Sequence, residues 1–167
     1  MYPTNNYTFD SKTYTLTWIK TDDVSSYSPF TQVYGVIFND TGEILICKQS
    51  SKHSWHLPGG HIEQGESYED ALIREALEEV DVRIKNIKPV GVQKITVPNN
   101  PKFIPEYQLR CIASVTELLP QTIDPDSQTQ WERRFVPVEK IKEYLSWNVT
   151  GDAMLDDAVM LYKKSLS

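Results

Sequence analysis

At 167 residues, with 40% hydrophobic and 24% charged residues, the chain has the composition of a soluble globular protein and the length for one domain with a sizeable core. The formal net charge of −6 weighs against nucleic acid as a partner, although bound cations would reverse that sign locally for a phosphorylated small molecule. No apolar run approaches ~20 residues, and MYPTNNYTFDSK lacks a basic region followed by an apolar core, so neither a membrane span nor a secretory signal is expected. Cys47 and Cys111 fall in strand-like runs and read as two buried thiols in a reducing cytoplasm.

In chain order, residues 1–12 show little pattern and are expected to form a mobile extension. Thr13–Ile19 alternates Tyr14, Leu16 and Trp18 with threonines, as a half-buried strand does. Gln32–Phe38 and Glu43–Gln49 are β-rich runs joined by Asn39-Asp40-Thr41-Gly42, which predicts a hairpin. A loop with Trp55 and the turn Pro58-Gly59-Gly60 follows, then a helical run from Ser67 to Val80. Further strands are predicted near Ile87–Val97, Tyr107–Glu117 and Trp131–Val136, with a short helix over Val138–Leu145. A terminal helix is predicted over Asp152–Lys163, with Thr150 and Asp152 available for its start. Strands mixed with a central and a terminal helix indicate a layered α/β domain.

The central helix carries the chemistry. At ~100° per residue, Leu72, Ile73, Ala76, Leu77 and Val80 share a stripe expected to be buried, while Glu75, Glu78 and Glu79 share another. Acidic helix faces are commonly solvated surface. Like charges at this spacing cost roughly 0.2–0.5 kcal/mol per pair, however, and the helix dipole disfavours carboxylates in the last turn. A hard divalent cation, which prefers carboxylate oxygen, relieves both. His53, His56 and His61 are irregularly spaced, with no cysteine or fourth ligand nearby in sequence, and do not suggest zinc.

Residues 60–82, GHIEQGESYEDALIREALEEVDV, resemble the Nudix box, G-x5-E-x7-R-E-U-x-E-E-x-G-U, where U is aliphatic. Gly60, Glu66, Arg74, Glu75, Ala76, Glu78, Glu79 and Val82 fit the spacing, and Asp81 departs from it where the pattern has glycine. Asp81 falls just past the helix end, where a left-handed backbone is common and Asp is tolerated after Gly. Asp81→Gly is therefore expected to be neutral or slightly stabilising. The box covers 23 of 167 residues, and the flanking WHLPGG and WERRFVPVEKI extend the similarity.

The resemblance implies a mixed β-sheet between helices, an α/β/α sandwich spanning residues 1–167 as a single domain. It implies a magnesium-dependent hydrolase, with manganese as a substitute ion, cleaving the pyrophosphate linkage of a small-molecule nucleotide such as a nucleoside triphosphate or ADP-ribose. Glu75, Glu78, Glu79 and the Gly59 carbonyl are the expected metal ligands, and Arg74 is expected to orient carboxylates. Family members differ in the general base. Glu66 is the candidate inside the box, and Glu132, beside the loop QTIDPDSQTQ, is the later and favoured one; Glu106 and Glu117 are rivals. Tyr34 and Trp55 are candidates to stack on a base, with core packing the alternative for each. A non-catalytic nucleotide-binding or sensor domain is the alternative function, and a homodimer is compatible with either.

Overall fold

The computed structural model describes residues 1–167. In chain order it contains strands β1 (Thr4–Phe9), β2 (Lys12–Lys20), β3 (Gln32–Phe38), β4 (Ile44–Gln49) and β5 (Gly59–His61), then helix α1 (Tyr68–Val80). Strands β6 (Val82–Thr96), β7 (Glu106–Leu118) and β8 (Trp131–Val136) follow, and helices α2 (Ile141–Tyr144) and α3 (Asn148–Ser165) close the chain. The strands form one sheet in the order β1-β2-β6-β7-β3-β4-β8, with β5 paired to β3. β3 and β7 run parallel and the other pairs antiparallel, so the sheet is mixed.

Both faces are covered. Leu72, Ala76 and Val80 of α1 pack with Val33, Ile37 and Leu109 on one side. Ile141, Leu145, Met154 and Leu155 of α2 and α3 pack with Val36, Phe38 and Ile112 on the other. This is the expected α/β/α sandwich.

Helix α1 starts where the sequence places it and ends, as expected, at Asp81. Ser67 Oγ accepts from the Asp70 amide at 3.1 Å, and Asp81 closes the helix in the left-handed region at φ 51, ψ 49. Its buried face differs from the expectation. Ala71, Leu72, Ala76, Val80 and Glu79 are buried, whereas Ile73 and Leu77 are exposed. The buried arc thus runs through Glu79 and is flanked by Glu75, so carboxylates are carried into the protein rather than onto an opposite polar face.

Two other expectations are corrected, and the expected β3–β4 hairpin is formed but short. Residues 1–12 are not patternless, because β1 pairs along its length with β2 through a two-residue turn in which Asp10 and Ser11 both have positive φ. Asn5 Oδ1 fastens this arm to α3, accepting from the Thr150 amide at 3.3 Å and its hydroxyl at 2.7 Å. The β3–β4 hairpin splays after the single pair Phe38↔Ile44, because β3 joins β5 and β7 while β4 takes β8 as its partner. Helix α3 begins at Asn148, so Thr150 lies inside it as a buried bonding residue rather than at a cap.

Candidate active site

The glycine turn and α1 meet edge-on. Gly59 adopts φ +146, and a Cβ there would lie 2.2 Å from the Val33 carbonyl oxygen, so only glycine lets β5 approach β3. A Cβ on Gly60 would lie 2.5 Å from Glu75 Oε1. The turn is therefore shaped around the carboxylates. The Gly59 amide donates to Glu79 Oε2 at 3.2 Å.

Arg74 gathers the remaining carboxylates. Its Nε and Nη2 donate to Glu66 at 2.8 and 3.0 Å, and its Nη1 donates to Glu75 at 3.1 Å and Glu78 at 3.2 Å. Nη2 also reaches the His61 carbonyl at 3.0 Å, which ties helix to turn. The Glu66–Arg74 fork is bidentate, the strongest geometry for this pair. Arg74→Lys should keep the charge and lose the fork. We expect the affinity for Mn2+, read by electron paramagnetic resonance, to fall about 10–100-fold, as for other residues that orient metal ligands.

The electrostatics follow from burial. Glu79 is 8% exposed, and its carboxyl is pushed up to about 9, first by burial and then by Glu75. Burial also raises Glu75 and Glu78, against the opposing pull of Arg74. The Arg74 hydrogen bond does the reverse for Glu66, holding it below the usual carboxylate range. Protonation in the absence of a cation is the response of crowded, desolvated carboxylates, and a divalent ion would reverse it.

The donor set fits such an ion. It offers carboxylate oxygens at a glycine turn and neither thiolate nor imidazole in the Arg74 group, as hard cations require. No three acidic, histidine or cysteine side chains yet converge on one point, and the positive charge among them is the Arg74 guanidinium. The three histidines do not form a centre. His56 Nδ1 donates to the Leu57 carbonyl at 2.9 Å and its ring meets Trp131 edge-on, His61 pairs with Gln32, and His53 is exposed.

Glu132 is not brought to this cluster. Trp131 and Arg133 of β8 point toward α1, where Arg133 Nη1 donates to the Val80 carbonyl at 2.7 Å. Strand alternation places Glu132 on the opposite face. There it pairs with Lys48 at 3.4 Å and Arg134 at 3.3 Å, beside Trp55, which both cations cover. Glu117 pairs with Arg83.

The loop before β8 supplies two carboxylates that the sequence reading passed over. Asp124 accepts from Trp131 Nε1 at 2.7 Å, Ser127 Oγ at 2.8 Å and the Asp126 amide at 2.8 Å. These bonds outweigh burial and hold its carboxyl below the usual range. The charges of Asp124 and Asp126 help raise Glu78, which places the loop beside the cluster. Asp81 anchors that loop: it is 6% exposed and accepts from the Thr122 amide at 2.8 Å and hydroxyl at 2.7 Å.

A cavity of about 790 Å³ opens on the α3 face, lined by Tyr34, Leu57, Arg110, Trp147 and Met154 among others. Tyr34 is paired in register with Gly59, so the cavity adjoins the carboxylate turn. Its volume is that of a small-molecule site. Tyr34 belongs to it, whereas Trp55 packs under Lys48 and Arg134 outside it.

Comparison with known proteins identifies the family and the fold. A Vibrio cholerae RNA pyrophosphohydrolase is 39% identical over 59 residues, 35% of this chain and 34% of that protein. A putative 8-oxo-dGTP diphosphatase of Bacillus subtilis is 35% identical over 74 residues, 44% of this chain and 46% of that protein. The matches thus span about a third to a half of these relatives. The crystal structure of a Bacillus subtilis pyrophosphohydrolase superposes with a TM-score of 0.67 at 21% identity, covering 96% of this chain and 97% of that one. A NUDIX hydrolase from Nitrosomonas europaea superposes at 0.57 with 20% identity, covering 78% and 88%. These two structures share the fold. The model of the NUDIX domain matches residues 29–157, most of the chain, and the chain belongs to the Nudix family.

Proposed function

We propose that the protein hydrolyses a pyrophosphate linkage in a nucleoside diphosphate derivative, with Mg2+ as the physiological ion and Mn2+ as a substitute. The observation that carries this reading is Glu79 and Glu75 held against the Gly59-Gly60 turn, with Glu78 joined to Glu75 through Arg74, next to a nucleoside-sized cavity. A bound divalent ion would neutralise phosphate charge and acidify water there. The chain's own residues do the rest. Glu79 is braced by the Gly59 amide, Arg74 orients Glu66, Glu75 and Glu78, and the cavity holds the nucleoside part of the substrate. A water oxygen bonds to phosphorus, the bridging P–O bond breaks, and a carboxylate takes the water proton.

The metal ligands are Glu75, Glu78, Glu79 and the Gly59 carbonyl. The base role moves from Glu132 to the box, where Glu66 is the remaining candidate, because Glu132 is committed to cations on the far face. Glu132→Gln should keep most of the rate and the acidic limb of the pH profile. Glu66→Gln should lose both or, if Glu66 only fixes Arg74, lose rate with weakened metal affinity and an unchanged limb. A panel of nucleoside triphosphates, ADP-ribose, nucleotide sugars and RNA bearing a 5′ triphosphate tests the reading. The curated relatives named RNA pyrophosphohydrolase are the reason for including the last, although the net charge of −6 favours a free nucleotide. A cytoplasmic setting suits Cys47 and Cys111, both buried and unpaired, and no helix is long and apolar enough to cross a membrane.

A further inference from the structure

The sheet has two edges, and they are built differently. At one edge β8 carries Glu132, Arg133 and Arg134, charges of the kind that keep a free strand from pairing with another chain. At the other edge β1 reads TNNYTF and carries no charge, no proline and no bulge in its pairing with β2. Every residue of β1 except Asn5 is exposed, so no other element covers it. Its end is nevertheless firmly held. Side-chain bonds join Thr4 to Thr17, Asn6 to Thr15 and Thr8 to Thr13 across the β1–β2 pair, and Asn5 fastens the strand to Thr150 of α3. A strand ordered in advance loses little entropy when it pairs.

The register with β2 fixes which backbone groups are free. The Trp18 amide donates to the Pro3 carbonyl at 2.9 Å, so by antiparallel alternation Asn5, Tyr7 and Phe9 also bond to β2. The amides and carbonyls of Thr4, Asn6 and Thr8 therefore point outward in the plane of the sheet. The Asn6 carbonyl meets only the side-chain amide of Asn5, at 3.3 Å. On the face that carries the cavity, the Tyr7 and Phe9 rings stack with centroids 6.4 Å apart, yet they remain 48% and 63% exposed.

We propose that β1 pairs antiparallel with β1 of a second copy of this chain, about a two-fold axis at Asn6, joining two sheets into one. The strand is complementary to itself in this register. Asn6 faces Asn6 of the second copy and Thr4 faces Thr8, so each outward amide finds a carbonyl in the other copy. Pro3 falls opposite Phe9 in a pair that exchanges no hydrogen bonds, where its missing N–H costs nothing. Asn5 falls opposite Tyr7, and the two Tyr7 rings lie on a diagonal within reach of each other. An unrelated peptide would satisfy the backbone, but the two-fold also brings both Tyr7–Phe9 pairs together on one face. Because the axis is perpendicular to the sheet, both cavities open on that face, and Tyr7 of each copy stands at the outer end of the other's cavity.

The test is sedimentation equilibrium of the full chain from micromolar to millimolar concentration, which should show a monomer–dimer equilibrium. Asn6 is exposed and lies outside the cavity lining. Asn6→Lys and Asn6→Asp should therefore melt as the wild type does, while each weakens the dimer at least ~10-fold because like charges meet on the axis. Mixed in equal amounts, the two variants should associate at least ~10-fold more tightly than either does alone. Amide exchange in the wild type reads the same pairing without a substitution. The amides of Thr4, Asn6 and Thr8 should slow as concentration rises, and those of Asn5 and Tyr7, already bonded to β2, should change little. A protein still monomeric at millimolar concentration, a dimer of wild-type affinity in both variants, a mixture no tighter than its components, or exchange at Thr4, Asn6 and Thr8 independent of concentration would each overturn the proposal. None of these outcomes depends on turnover, so the hydrolase reading stands or falls separately.

Discussion

Glu79→Gln should fold, bind nucleotide and turn over at least ~100-fold more slowly at saturating Mg2+, a loss of about 2.7 kcal/mol of transition-state stabilisation. Glutamine keeps the shape and can still accept from the Gly59 amide, so the change isolates the charge. The same variant has a stability signature. In the metal-free protein the Glu79 carboxyl sits at about 9 against an ordinary 4.5, so between those values the native state holds a proton that the unfolded chain has released. Stability of the metal-free wild type should therefore fall as pH rises from about 4.5 to about 9, where the loss is complete. Denaturant melts across that window should show the fall in wild type and flatten it in Glu79→Gln. Added Mg2+ should restore wild-type stability at the alkaline end and do little for the variant.

Asp81→Gly should destabilise the protein, against the sequence expectation of a neutral change. Glycine relieves the left-handed backbone at φ 51, a gain of roughly 0.5–1 kcal/mol. The variant also loses both bonds to Thr122, each worth roughly 1.5–3 kcal/mol for a charged acceptor. The bonds win, leaving a net loss of about 2–5 kcal/mol and a melting temperature lower by about 5–15 °C. Because Asp81 tethers the loop that carries Asp124 and Asp126, amide exchange around Thr122 should quicken more than in α1. Asp81→Asn, which keeps an acceptor and tolerates the same backbone, should recover part of both effects. Wild-type melting and exchange in Asp81→Gly would show that the tether carries no free energy.

What was legible in the sequence was what is local along the chain. The start of α1 near Ser67, the left-handed end at Asp81 and the role of Arg74 in orienting carboxylates all follow from spacings of a few residues, and the structure contains them. What was not legible depended on distant partners. Asp81 and Thr122 are forty-one positions apart, and Asp81 looked like a tolerated substitute because only its backbone could be weighed. Glu132 alternates with buried Trp131, but which sheet face meets α1 is decided by the β4–β8 pairing. Arg110 was visible as a charge inside an apolar strand, but its setting needed β6 beside β7, which brings Gln93 to it. The stripe on α1 misled for a related reason: a site that carries carboxylates into the interior breaks the rule that the apolar face is the buried one.

The most direct measurement is the mass of the products formed from GTP in heavy-oxygen water, with Mg2+ and with chelator, for wild type and Glu78→Gln. The account predicts a single labelled oxygen on one phosphorus-containing product, formed only with the metal, and almost none from the variant. Tight nucleotide binding with no labelled product from GTP or any other pyrophosphate substrate, in either Mg2+ or Mn2+, would contradict it and leave a nucleotide sensor in its place.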